Sequence, residues 1–202
     1  MKEKRLTKVV SLSIVGDSKG GIIVDKKAFI REFTSKTGET VILRPVEKRD
    51  AELIVSAVDQ IIKSGSYIQK EAARSIQDEI KFIEHMALLD NMYVSVEINH
   101  QIVGIARVIR GELEMKRHTG LFRTWLVEAA QGKGIGTELL NYTIEWCKAH
   151  ELHKLCLTVF ASNGLAHKLY ERFGFVQEGI QKDQVKINEK YDDEIFMAYF
   201  FK

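Results

Sequence analysis

A glycine-rich turn between a strand and a helix constrains the fold of this chain more than any other stretch. Residues 121–127 are apolar, aromatic and β-branched, which is typical of a strand. Glycines follow at positions 132, 134 and 136. Apolar residues then recur at helical spacing, namely Leu139, Leu140, Ile144 and Cys147. The sequence therefore predicts a strand, a tight glycine turn and an amphipathic helix in direct succession.

Alternating glycines at the start of a helix suit the binding of a phosphate group. Without Cβ atoms, the backbone can turn sharply and let a ligand approach its N–H groups. The first N–H groups of the helix have no partner inside it, and the helix dipole adds positive charge there. Lys133 would add a mobile cation. The pattern indicates a phosphate or pyrophosphate site, and a turn in which glycine serves only steric needs is the alternative.

The spacing of the glycines excludes two common phosphate-binding motifs. A Walker loop has the form G-x-x-x-x-G-K-[ST], whereas Lys133 precedes the last two glycines here. The dinucleotide fingerprint G-x-G-x-x-G is also missed, because the spacing is G-x-G-x-G. That fingerprint further requires an acidic residue in the next strand, and residues 154–160 contain no acid.

Length and composition favour a single domain in the cytoplasm. The chain has 202 residues, 45% of them hydrophobic, which is enough for one sizeable core. Its 30 basic and 28 acidic residues give a net charge of +2, so no nucleic-acid partner is expected. No apolar run is long enough for a membrane span, and the first residues lack the apolar core of a secretory signal. Cys147 and Cys156 are too few for a disulfide framework, and no metal site is expected.

Residues 1–38 are predicted to form an N-terminal β-hairpin extension ahead of a domain that spans residues 39–202. Residues 9–15 alternate in the manner of a strand, residues 16–21 carry turn chemistry, and residues 22–24 resume an extended pattern. The hairpin could extend a sheet edge or contact a second copy of the chain, which leaves a homodimer open, and a substrate-binding role is the alternative.

The remaining sequence predicts an α/β protein with a mixed sheet and helices on its faces. The element order is β-α-α-β-β-β-α-β-α-β-β. The predicted strands cover residues 40–44, 92–98, 102–109, 121–127, 154–160, 175–177 and 195–200, and helices cover residues 48–63, 71–89 and 162–173 besides the one after the glycine turn.

Two motifs give the chain a family resemblance. Gln131, Gly134 and Gly136 fit the pattern [Q/R]-x-x-G-x-[G/A], and residues 163–175 fit N-x-x-A-x-x-L-Y-x-x-x-G-F at every specified position. Together they resemble the GNAT superfamily of acyl-CoA-dependent N-acetyltransferases over residues 40–202. The resemblance implies a three-layer α/β/α fold and acetyl-CoA as cofactor. The C-terminal stretch also resembles the branch that contains ribosomal-protein N-acetyltransferases.

The resemblance also implies a role for individual residues. The backbone of Leu126 and Val127 would bind the pantetheine arm like an added strand. Tyr170 would direct its hydroxyl at the thioester sulfur, and it is spaced to share a helical face with Asn163 and Ala166. The implied cofactor-binding residues are Leu126, Val127, Gln131, Gly132, Lys133, Gly134, Ile135, Gly136, Thr137, Asn163 and Ala166.

The expected reaction is direct transfer of the acetyl group to a primary amine, which requires that a base or water accept a proton from the amine. Two positions where related acetyltransferases carry a glutamate hold Arg123 and Thr158 here. Glu128 is the nearest acid and is the candidate base, with a solvated turn residue as the alternative. His118 and water alone are further candidates. A non-catalytic module that binds acyl-CoA is the alternative function.

The acceptor is left open between a protein N-terminus or peptide, a polyamine and an amino-sugar. The segments expected to bind it are the helix pair over residues 48–89, the loop 111–119 and residues 178–194. Their charges are mixed, because the basic residues Lys116 and Arg117 are offset by acids such as Asp192 and Asp193.

Overall fold

The computed structural model describes residues 8–9, 14–16, 22–24, 29–65, 68–187 and 189–202. Over these residues the chain forms strands and four α-helices in the predicted alternation. Along the chain they are β1 (Lys8–Val9), β2 (Ile14–Gly16), β3 (Ile22–Val24), β4 (Arg31–Thr34), β5 (Thr40–Pro45), α1 (Ala51–Lys63), α2 (Ile76–Leu88), β6 (Met92–Ile98), β7 (Gln101–Arg110), β8 (Thr119–Leu126), α3 (Ile135–Ala149), β9 (Lys154–Phe160), α4 (Gly164–Arg172), β10 (Val176–Ile187) and β11 (Lys190–Phe200).

Nine of these strands form one mixed sheet in the order β1-β4-β5-β6-β7-β8-β9-β11-β10. Neighbouring strands are antiparallel except for β8 and β9, which are parallel. A parallel pair needs a long crossover, and the glycine turn and α3 supply it. The glycine turn therefore leads out of the middle of the sheet.

The helices cover both faces of the sheet, in the three-layer arrangement that was predicted. Side chains alternate across β6, so Tyr93 packs with α1 and α2, whereas Val94 and Val96 pack with α3 and α4. Leu139 and Leu140 of α3 are fully buried in the second of these cores. The predicted α/β fold is therefore confirmed. No helix in the described ranges is long and apolar enough to cross a membrane.

Side-chain caps set the starts of two helices later than the sequence pattern predicts. The hydroxyl of Ser75 accepts a hydrogen bond from the Asp78 N–H, and α2 begins at Ile76 rather than at residue 71. The side-chain oxygen of Asn163 accepts one from the Ala166 N–H at 3.2 Å, and α4 begins at Gly164 rather than at residue 162. Each cap satisfies an N–H group that has no partner within its helix.

The last two strands are longer than predicted. β10 spans Val176–Ile187 and β11 spans Lys190–Phe200, and their pairing runs from Val176 with Ala198 to Ile187 with Lys190. Most residues of β10 are exposed, so neither of its faces needs to be apolar. Its sequence therefore lacks the regular alternation of apolar and polar residues from which a strand is predicted. The predicted loop over residues 111–119 contains a short 3-10 helix, Glu114–Lys116.

The N-terminal region agrees in part with the predicted extension. β2 and β3 pair antiparallel, and of the turn predicted over residues 16–21, Gly16 belongs to β2 and residues 17–21 lie outside the described residues. β4, which precedes the predicted domain boundary, pairs with β5 and belongs to the main sheet. The division into residues 1–38 and 39–202 stays a prediction.

A buried ion cluster joins β5, β6 and the start of α1. The guanidinium of Arg44 donates to both carboxylate oxygens of Asp50 at 2.8 and 2.9 Å, and its Nε donates to Glu97 at 2.8 Å. Asp50 is only 2% exposed and also accepts the Glu47 N–H at 2.7 Å. Burial alone would raise the pKa of Asp50, but the hydrogen bonds from Arg44 and Glu47 outweigh it and lower the pKa. Asp50 therefore stays ionised inside the fold.

Candidate active site

The three positions of the turn require glycine for different structural reasons. Gly132 and Gly134 have φ angles of 71° and 84°, which only glycine adopts at little cost. Gly136 lies inside the first turn of α3, where an added Cβ would come within 3.3 Å of the Leu169 side chain on α4. Two glycines thus shape the turn, and the third allows two helices to pack closely.

The turn presents unpaired amides at the start of α3. Among the described residues, the N–H groups of Gly132, Lys133 and Gly134 donate to no backbone carbonyl. Space is open around Gly132, because nothing lies within 4 Å of where its Cβ would be. Free amides, the helix dipole and the missing side chains together fit a diphosphate group.

Lys133 is held by the turn between β4 and β5. Its Nζ pairs with the carboxylate of Glu39 at 2.7 Å, and its carbonyl accepts the Lys36 N–H at 2.9 Å. The hydrogen bonds from Lys133 and Thr37 lower the pKa of Glu39 to about 2. The Lys36 side chain lies against Gly134. The turn therefore carries a fixed Lys133–Glu39 pair, and Lys36 is a second cation beside it.

β8 and β9 separate beyond their first residues. They pair only between residues 119–121 and 154–156. The Val127 N–H donates to the Val103 carbonyl at 2.9 Å, so odd-numbered residues of β8 bond to β7. Even-numbered residues such as Thr124 and Leu126 therefore direct their N–H and C=O groups towards β9, where no strand pairs with them. The gap could accept an extended chain with amide groups, and Leu126 is the predicted residue that faces it.

A cavity of about 150 Å³ lies beside this gap. Asn163, Ala166 and Tyr170 line it from α4, as their predicted common face requires. Tyr170 packs edge-on against Phe122 and is 8% exposed. Burial raises the pKa of Tyr170 to about 12, and Arg123 opposes this shift. The phenol is therefore protonated at neutral pH and can donate a proton.

Arg123 and Thr158, which stand where related acetyltransferases carry a glutamate, are hydrogen-bonded to each other. The Nη1 of Arg123 donates to the Thr158 hydroxyl at 2.8 Å across the cavity wall. Among the described residues, the lining of this cavity contains no Asp, Glu or His. A cation and a hydroxyl thus stand at the two positions where related acetyltransferases carry a carboxylate.

The other candidate bases lie elsewhere. Glu128 is exposed at the end of β8 and borders a separate groove with Val127 and Ala129. His118 is exposed at the opposite end of β8, with its ring 6.1 Å from that of His153. The structure therefore brings Tyr170 together with Asn163 and Ala166, and it does not bring Glu128 or His118 to them.

Sequence reasoning missed the basic residues that line the cavity. Lys70 comes from the segment before α2, and Arg107 comes from β7. Arg107 interrupts the apolar stretch of residues 102–109, and this charge inside a predicted strand was the available signal. Lys70 carried no comparable signal.

A family model described as the acetyltransferase (GNAT) family matches residues 61–175. The chain belongs to the GNAT family. Membership confirms the predicted family and enzyme class, that of an N-acetyltransferase, together with acetyl-CoA as cofactor. The ribosomal-protein branch has only weak support.

Individual relatives are similar to this chain in sequence, and one solved structure is similar in fold. A probable N-acetyltransferase of Bacillus subtilis, YjcK, is 28% identical over 175 residues, which cover 80% of this chain and 94% of the relative. Spermidine N(1)-acetyltransferase of Vibrio cholerae is 28% identical over 120 residues, 57% of this chain and 68% of the relative. The structure of yncA from Salmonella typhimurium, described as a putative acetyltransferase and solved with acetyl-CoA, superposes with a TM-score of 0.73 at 19% identity over 80% of this chain and 94% of that chain.

Replacing Gly134 by alanine is expected to weaken coenzyme A binding about tenfold. A residue with a Cβ at this φ angle also costs roughly 1–2 kcal/mol of stability. Isothermal titration calorimetry and thermal unfolding would measure both effects. Gly179→Ala is the control, because nothing lies within 4 Å of its added Cβ and no left-handed φ is required there. Equal cofactor affinity in both variants would contradict a role for this turn.

Proposed function

We propose that this GNAT enzyme transfers the acetyl group of acetyl-CoA to a primary amine by direct attack, with Tyr170 as the general acid. The observation that carries the proposal is the position of Tyr170, a buried and protonated phenol that lines the cavity beside the β8–β9 gap. Direct attack needs a donor of this kind for the departing thiolate.

Bound acetyl-CoA would supply the activated acetyl group. The amides of Gly132, Lys133 and Gly134 would hold its diphosphate, and Leu126 would bind the pantetheine arm through its N–H, since its carbonyl accepts a hydrogen bond from Gln131 at 3.1 Å. Asn163 caps α4 and would contact the same arm. Val127 was also predicted to bind this arm, but its N–H is not available for that, because it donates to the Val103 carbonyl of β7. The protein's own contribution is to bind, to orient and to hold a proton at the Tyr170 oxygen.

Water is the proposed proton acceptor for the attacking amine. The described cavity lining offers no carboxylate or imidazole, and solvent can enter from the open side. An amine of pKa about 10.4 is mostly protonated at neutral pH, so the reactive fraction grows as the pH rises. Glu128 remains the alternative base, acting from the neighbouring groove.

The pH dependence of kcat/KM is expected to distinguish water from a protein base. With water as acceptor, kcat/KM should rise with pH up to the pKa of the amine, and it should show no inflection below that value. Glu128→Gln should then keep the wild-type profile. A loss of about a hundredfold in Glu128→Gln would instead assign the base to Glu128.

The activity itself is tested by incubating the purified protein with acetyl-CoA and a panel of amines. The panel contains amino acids, amino-acid amides, peptides, polyamines and aminoglycosides. Thiol release would be followed spectroscopically, and the acetylated product would be identified by mass spectrometry. Turnover of one amine class supports the proposal. Acetyl-CoA binding without turnover of any amine would contradict it and favour the non-catalytic alternative.

A further inference from the structure

Three basic side chains line the cavity without an acidic partner. Lys70, Arg107 and Arg123 all contribute to its wall. Within the described ranges, none of the three forms a salt bridge, whereas the neighbouring Arg74 pairs with Glu79 at 2.8 Å. Unpaired cations at a partly buried site are unfavourable, because burial removes water without supplying a counter-charge.

The two arginines also face each other directly. Arg107 on β7 and Arg123 on β8 are register partners in the antiparallel ladder. Like charges at directly opposed positions destabilise a sheet. The Nε of Arg107 is buried and has no hydrogen-bond partner among the residues that the structure describes. The sheet thus keeps an arrangement that costs stability and leaves a donor unused.

The nearby acids neutralise only part of this positive charge. Both oxygens of Glu79 are engaged, one by Arg74 and the other by the hydroxyl of Tyr93 at 2.6 Å. Glu194 accepts a hydrogen bond from Gln69 at 2.8 Å and also attracts Arg123, so its negative charge offsets one of the three cations. An excess of positive charge therefore remains on the cavity wall.

The pKa directions agree with this excess. Burial lowers the pKa of Arg107, and repulsion from Arg74 and Arg123 adds to the effect against the attraction of Tyr93 and Glu79. Burial also lowers the pKa of Lys70, and repulsion from Arg74 and Arg107 lowers it further. An anion in the cavity would attract both cations and so raise the pKa of Arg107 and of Lys70.

We propose that the acceptor carries a carboxylate close to its reacting amine, as a free amino acid does, and that Arg107, Lys70 and Arg123 bind this carboxylate. The inference rests on the proposed acetyl transfer and names its acceptor class. Guanidinium groups match a carboxylate through paired hydrogen bonds. Tyr170 lines the same cavity, so a carboxylate held by Arg107 would place the adjacent amine near the reacting centre.

A polyamine would meet the opposite electrostatics. Its additional ammonium groups would enter a cavity that already holds three unpaired cations, and like-charge contacts of this kind disfavour binding. An amino-sugar would likewise leave the arginines without a counter-charge. The free amino acid is thus the acceptor that fits both the charge and the small volume of the cavity.

The test compares each amino acid with its own amide, which differs only in the carboxylate. Rates are expressed per concentration of uncharged amine, because the two amines have different pKa values. For the favoured side chain, kcat/KM of the amino acid is expected to exceed that of the amide by about tenfold or more. Calorimetric titration of the amino acid into protein saturated with coenzyme A should show the same preference without turnover.

Substitution should remove this preference. Arg107→Gln is expected to bring the ratio of amino acid to amide to within about twofold of one, and Lys70→Gln should lower it several-fold. Arg49→Gln is the matched control, because Arg49 is exposed and pairs with Glu47 away from the cavity. Thermal unfolding and acetyl-CoA affinity would show that each variant is folded. If Arg107→Gln does not fold, Lys70→Gln carries the test.

The outcomes separate the two proposals. Turnover of amides or polyamines at rates equal to or above those of amino acids would overturn the carboxylate site and leave the acetyl transfer standing. A preference for amino acids that survives in both folded variants would overturn the assignment of the site to these residues. Absence of turnover with every amine would overturn the proposed function and this inference with it.

Discussion

Replacement of Tyr170 by phenylalanine is expected to lower kcat about a hundredfold and to leave the affinity for acetyl-CoA within about twofold of wild type. The hydroxyl is the group that can donate a proton at neutral pH, because burial raises the pKa of Tyr170 to about 12. The aromatic ring, which packs against Phe122 and Phe175, is unchanged by the substitution. Steady-state kinetics and calorimetry would measure the two quantities separately.

Tyr199→Phe provides the control for this prediction. Tyr199 belongs to the same aromatic cluster, with its ring 5.6 Å from that of Phe175, but it does not line the cavity. Loss of its hydroxyl should leave kcat unchanged. The wild-type enzyme should also show no loss of activity from ionisation of Tyr170 between about pH 7 and 10. An equal fall of kcat in both variants would show that the effect is one of packing.

Replacement of Asp50 by alanine is expected to lower the free energy of unfolding by about 3 kcal/mol. The variant would leave Arg44 partly buried with Glu97 as its remaining acidic partner, and the Glu47 N–H would lose its acceptor. For a chain of this length, a loss of that size corresponds to a fall in Tm of roughly 6–12 °C. Thermal and denaturant unfolding would both measure it.

The pH dependence of this loss has a defined sign. The pKa of Asp50 is lower in the folded state than its ordinary value of 3.8, so its stabilisation is complete above that value and disappears as the pH falls through the lowered pKa. The difference between wild type and Asp50→Ala should therefore shrink in acid. Asp59→Ala removes an exposed pair with Lys63 and should cost no more than about 0.5 kcal/mol. A similar loss in both variants would contradict the argument from burial.

Local chemistry explains which parts of the site could be predicted from the sequence. The turn at Gly132 and Gly134, the cap at Asn163 and the face that carries Tyr170 each depend on residues a few positions apart. The spacing of these residues along the chain is therefore enough to indicate their geometry. The predicted start of α2 was wrong by several residues because the cap at Ser75 overrides the preceding helix-like pattern.

The basic cavity wall depends on contacts between distant parts of the chain. Arg107 and Arg123 meet only because β7 and β8 pair in one particular register, and Lys70 reaches them from a segment without regular structure. A shift of one residue in that register would turn one arginine to the other face of the sheet. Periodicity within one strand carries no information about its partner, so the cluster could not be inferred from it.

The short contact between β8 and β9 has a consequence for how the protein moves. Three residue pairs join the slab that contains β7 and β8 to the slab that contains β9, β11 and β10. Backbone amides along this seam should exchange their hydrogens with solvent faster than those in the middle of β6. A molecule whose amides hydrogen-bond to both sides of this seam would hold the two slabs together. Binding at the site should therefore make the whole sheet more rigid.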